Sequence, residues 1–148
     1  MPVIRRVLVA VDGSAHSRKA VEMAVEICVR HGSHLTVLHV IQQPSYVLAA
    51  AGIPPTALRD YYSEARREAE RVVGEAVGMA EKAGVRVDSE ILENAPSVVQ
   101  AITEYAEANG FDLIVVGTRG LSGFKKLLLG SVAGGVVSHA HCPVLVVR

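Results

Sequence analysis

Apolar positions along this chain fall into short unbroken runs separated by helical stripes, and that alternation predicts its architecture. Val7-Leu8-Val9-Ala10-Val11 and Leu113-Ile114-Val115-Val116 contain no polar residue, the pattern of parallel strands covered by helices on both faces. Both belong at the centre of a sheet. Leu35-Thr36-Val37-Leu38-His39-Val40 is nearly as apolar, whereas Val85-Arg86-Val87-Asp88-Ser89-Glu90-Ile91 mixes in charge and suits an exposed edge. Val144-Leu145-Val146-Val147 is the last strand.

Between these runs the period becomes that of a helix. Ser14 has N-cap chemistry, and Ala20, Val21, Ala24, Ile27 and Cys28 form one stripe before Gly32 ends the first helix. Turn signals from Gln42-Gln43-Pro44 through Gly52-Ile53-Pro54-Pro55 lead into a long helix from about Thr56 to Lys82, closed by Gly84. Asn94-Ala95-Pro96 reads as the opening of a third helix running to about Asn109, and a fourth is expected from Ser131 to near His139. Right-handed crossovers turn this string into an α/β fold: one doubly wound, five-stranded parallel sheet of order 3-2-1-4-5, helices on both faces.

At 148 residues the chain is expected to form a single domain over 1–148. Half its residues are hydrophobic but only 4% are aromatic, so Val, Leu, Ile and Ala must build the core. Fifteen Lys and Arg balance fifteen Asp and Glu, which argues against a broad nucleic-acid-binding face. No apolar run approaches the roughly 20 residues that span a bilayer. Met1-Pro2-Val3-Ile4-Arg5-Arg6 runs into a strand rather than a signal-peptide core, so the expected location is cytoplasmic, with no membrane partner. Cys28 and Cys142 form no C-x-x-C pair and read as small buried hydrophobes.

In the expected sheet the strand order reverses between strands 1 and 4, and ligands bind at the carboxyl ends of strands flanking such a reversal. Asp12-Gly13-Ser14 and the segment from Gly117 onward should therefore face one crevice. Gly117 and Gly120 let the backbone approach a ligand closely, while Gly130-Ser131 brings amides and a hydroxyl to a helix start, a cradle suited to phosphate. The plainer alternative is a tight turn with Ser131 as helix cap. Arg119 either forks onto phosphate or points into water, Lys125 and Lys126 read as a solvated face, and Ser122 is left open.

Three roles compete for Asp12: accepting from ribose hydroxyls, holding a divalent metal beside phosphates, or capping the first helix. Val40 either meets a base edge or is simply core. His139-Ala140-His141-Cys142 lies at a helix end, where His meets terminal carbonyls more readily than a metal, and His39 reads as a satisfied imidazole. There is no G-x-x-x-x-G-K-[ST] segment, and no G-x-G-x-x-G follows strand 1. No catalytic residue is identified.

Gly117-x-x-Gly120-x9-Gly130-Ser131, the opening Val9-Ala10-Val11-Asp12-Gly13-Ser14 and the ending Cys142-Pro143-Val144-Leu145-Val146-Val147 resemble the universal stress protein family in its ATP-binding branch, over essentially the whole chain. The resemblance implies that Ala10, Asp12 and Val40 line the adenosine half of a site, that Val116, Gly117, Arg119 and Gly120 follow the nucleotide, and that Gly130, Ser131 and Val132 bind its phosphates. It implies ATP as cofactor, with Mg²⁺ or Mn²⁺ beside it; Asp12 is the candidate metal carboxylate by its position at the crevice. Asn94-Ala95 departs from the family's usual glycine-led turn, although Asn tolerates the same left-handed geometry.

Strand 5 is an apolar edge without charge or Pro inside it, so a twofold dimer pairing Val144, Leu145, Val146 and Val147 is expected, as the resemblance also implies. The function expected is that of an ATP-binding stress-response regulator, a nucleotide-dependent homodimeric switch read by a further, unidentified protein. The alternatives are a slow metal-dependent ATPase or autophosphorylating enzyme, with Ser122 or Ser131 as acceptor, and a dimeric scaffold in which nucleotide is structural.

Overall fold

The computed structural model describes residues 3–43, 50–119 and 129–148. Strands β1 (Arg6–Ala10), β2 (His34–Gln42), β3 (Val87–Ala95), β4 (Leu113–Gly117) and β5 (Val144–Val147) alternate with helices α1 (Ala15–His31), α2 (Pro55–Lys82), α3 (Val98–Ala108) and α4 (Ser131–His139). All pairings are parallel, and the sheet order is β3-β2-β1-β4-β5, as the hydrophobic pattern predicts.

Successive strand residues point to opposite faces, and two cores follow from that alternation. Val7, Val9, Leu35, Val37 and Val115 pack with Ala20, Ala24 and Cys28 of α1 and Val72, Val73 and Ala76 of α2. Leu8, Leu38, Ile114 and Val116 pack on the other face with Ile102 and Ala106 of α3 and Ala133 and Val136 of α4. Val7, Leu8, Val9, Ile114 and Val115 are fully buried, each worth about 1.5–3 kcal/mol in apolar surface removed from water. The sheet is thus doubly wound, and the connections switch faces between β1 and β4.

The first helix begins as its sequence predicts: Ser14 Oγ accepts the Ser17 amide at 3.1 Å, and Gly32 ends the helix at φ 66°. The start of the third helix differs from expectation. Asn94 takes φ 59° and β3 continues through Ala95, which pairs with Gln42 after a register shift. Pro96 disfavours helical geometry at the residue before it, which keeps Ala95 extended. Ser97 then caps α3, accepting the Gln100 amide at 3.2 Å. Of the expected loop from Gln42 to Pro55, residues 44–49 lie outside the described residues.

Candidate functional site

Two strand exits meet where the connections switch faces. On the β1 side, Asp12 Oδ1 accepts the Ser14 amide at 2.9 Å, closing a tight turn over Gly13, whose φ is 86°. This is a side-chain turn ahead of the helix and not its cap, which is Ser14, and it uses Oδ1 of the carboxylate. The Asp12 amide donates to Ser17 Oγ at 3.1 Å, and the Val11 carbonyl accepts from His39 Nδ1 at 2.8 Å. His39 is therefore a satisfied imidazole, as its position in a core strand suggests.

On the β4 side the chain presses directly onto α1. A Cβ at Gly117 would lie 2.8 Å from the His16 carbonyl carbon, so only glycine fits here without a backbone shift. Thr118 follows, 5% exposed, with each polar group engaged by a different element. Its amide donates to Val147 O at 2.8 Å, its carbonyl accepts from the Gly130 amide at 2.6 Å, and its hydroxyl lies 3.3 Å from His16 Nδ1. Gly130 is equally constrained, since a Cβ there would sit 2.8 Å from Thr118 O.

The Gly130 amide is thus occupied, whereas the α4 start at Ser131 and Val132 is exposed and, among the described residues, has no side-chain cap. Uncapped amides at a helix N-terminus favour an anion. Ala10 and Val40 pack against the same core as Val116, on the face that carries α4. The structure therefore gathers Ala10, Val40, Val116 and the start of α4 on one side of the sheet, with Asp12 and Gly117 at its carboxyl edge. Arg119 is half-buried next to Thr118, while Gly120, Ser122, Lys125 and Lys126 lie outside the described residues.

Over the opposite side of the Asp12 turn, α2 lays a chain of exposed charges. Arg71 pairs with Glu68 at 2.6 Å and Glu75 at 3.5 Å, and Glu75 in turn meets Arg18 of α1 at 2.7 Å. The hydrogen bond from Arg71 holds the Glu68 carboxyl below its ordinary range. At the far end of α4, His139 Nδ1 donates to the Gly135 carbonyl at 2.9 Å, the helix-end role expected of it. Among the described residues no three His, Cys, Asp or Glu gather as a metal site.

Sequence reasoning located both exits but missed the residues that join them. Thr118, His16 and Ser17 carry no motif; the available signal was the spacing of Ser14 and Ser17 and the position of Thr118 between glycines.

A parallel sheet wound on both faces, its strand order reversing between β1 and β4, defines the class of doubly wound α/β domains. A profile of the universal stress protein family matches residues 4–148, and the chain belongs to that family. A universal stress protein of Methanocaldococcus jannaschii is 34% identical over 145 residues, 97% of this chain and 82% of its own length. Among solved structures, hypothetical protein MJ0577 superposes with a TM-score of 0.83 at 24% identity, covering 99% of this chain and 96% of that one. A universal stress protein in complex with cAMP superposes with a TM-score of 0.67 at 28% identity, covering 99% and 98%. No helix among the described residues is long and apolar enough to cross a membrane.

Proposed function

We propose that this universal stress protein binds ATP in the crevice between the β1 and β4 exits and acts in the cytoplasm as a nucleotide-dependent homodimeric switch. The convergence of the two exits, bridged by Thr118 and His16 beside an uncapped helix start, carries this reading. The relative solved with cAMP supports an adenine nucleotide as the ligand class. Val40 and Ala10 meet the adenine side, and the Asp12 carboxylate, whose Oδ1 holds the turn, accepts from ribose. Val116, Gly117, Arg119 and Gly120 run along the nucleotide; Ser131 and Val132 cradle its phosphates through their backbone amides and the Ser131 hydroxyl, and Gly130, its own amide held by Thr118, gives the phosphates room to approach without a side chain.

Asp12 fits Mg²⁺ or Mn²⁺ in one way, as a single carboxylate joined by phosphate oxygens and water. A divalent ion held so neutralises phosphate charge. The dimer forms through Val144, Leu145, Val146 and Val147, and the nucleotide state is read by a further protein.

Isothermal titration of nucleotide-free protein with ATP is expected to give saturable heat, and Gly130→Asp is expected to abolish it. That side chain would strike Thr118 O and set a carboxylate against the phosphates. Absence of saturable heat from the folded natural chain would overturn the reading.

A further inference from the structure

The peptide linking Val11 to Asp12 is gripped at both ends by side chains from other elements. Its carbonyl accepts from His39 Nδ1 of β2 at 2.8 Å, and its amide donates to Ser17 Oγ in the first turn of α1 at 3.1 Å. A carbonyl only accepts, so the imidazole carries its proton on Nδ1. Reversing the peptide would turn its N–H toward that N–H and lose both bonds. The orientation of this one plane is therefore fixed from outside the strand.

External fixing is needed because the turn that follows is permissive. Gly13 takes φ 86°, where glycine moves at little steric cost, and the bond from Ser14 to Asp12 Oδ1 spans only two residues. The sheet ladder ends one bond earlier, with the Val11 amide on Leu38 O. Beyond that bond, His39 and Ser17 set where the Asp12 carboxylate points. His39 does so from the face opposite Val40, its neighbour in β2, so it acts through the backbone and not by contact with a nucleotide.

We infer that His39 and Ser17 are positioning residues for Asp12, a role that rests on the nucleotide reading above. Asparagine at position 39 keeps a donor where Nδ1 stands, and leucine removes it. His39→Leu and Ser17→Ala are each expected to weaken ATP binding about tenfold, the loss of one hydrogen bond. His39→Asn should stay close to the natural affinity. In an Asp12→Ala background His39→Leu should cost nothing further, because the carboxylate it positions is gone.

Hydrogen exchange at the Asp12 amide of the nucleotide-free chain gives a second readout that needs no ligand. It should accelerate in His39→Leu and recover in His39→Asn. Equal loss of affinity with and without the Asp12 carboxylate overturns the inference, as does unchanged exchange in His39→Leu. Should the natural chain bind no ATP, the nucleotide reading fails and the exchange data alone decide whether the grip exists. Should His39→Leu not fold, Ser17→Ala supplies the same affinity and exchange comparisons.

Discussion

Cys28 lies in the core between α1 and the sheet with 2% of its surface exposed, and burial pushes its thiol from an ordinary 9.0 up to about 11. In the unfolded chain the thiol ionises near its ordinary value, while the folded chain retains the proton. Between pH 9 and 11 unfolding therefore releases a proton, and stability declines as pH rises, by at most about 1.4 kcal/mol per pH unit. Below that window the group contributes no slope. Denaturant unfolding at pH 8 and pH 10 checks this: Cys28→Ala is expected to be less stable than the natural chain at pH 8, with a smaller gap at pH 10. A gap unchanged between those two conditions would contradict the assignment. The same residue shows what is legible at this scale. An apolar stripe in a helix marks Cys28 as buried, whereas nothing local pairs His16 with Thr118, which lie on elements that only folding brings near.

Among elements, two adjacent glycines of α4 have opposite surroundings. A Cβ at Gly135 would lie 2.6 Å from Val99 Cγ2 of α3, while one at Gly134 would meet nothing nearer than Leu129 Cδ2 at 3.6 Å. Gly135→Ala is expected to lower stability by about 1–3 kcal/mol through overpacking. Gly134→Ala is expected to raise it by up to about 1 kcal/mol through helix propensity. Thermal melts of the two variants should move in opposite directions, and a stabilised Gly135→Ala would refute the close approach. The order of elements and their faces were readable because period and cap chemistry are local. The extension of β3 to Ala95 was not: it depends on pairing with Gln42 of β2, across a register shift that only the assembled sheet imposes.

For the whole molecule, the proposed dimer depends on which backbone groups of β5 face outward. Pro143 O and Val147 O accept from Ile114 and Thr118, so they point at β4. Strand alternation then turns the amides of Val144 and Val146 away from it. Val146→Pro removes one outward donor while sparing the bonds to β4, and proline is tolerated on that side of an edge strand. Sedimentation equilibrium is expected to give a dimer for the natural chain and a monomer for Val146→Pro, with circular dichroism unchanged. A natural chain that stays monomeric at micromolar concentration would sink the dimer. The meeting of the two strand exits was legible at this scale because a reversal of strand order is a topological fact. Its inner bonding was not, since the distances there are set by glycines whose role is to let backbones touch.

Thr118 gives that touching a further meaning. Its three polar groups bind the end of β5, the start of α4 and the first turn of α1. A message between the proposed phosphate cradle and the proposed subunit seam has no chain of intermediaries to cross, because one residue is hinged to both. Any ligand that, by tightening this hinge, favours the joining of two subunits must, by thermodynamic reciprocity, be held more tightly once they have joined. Occupancy and assembly would then be two readings of a single mechanical joint.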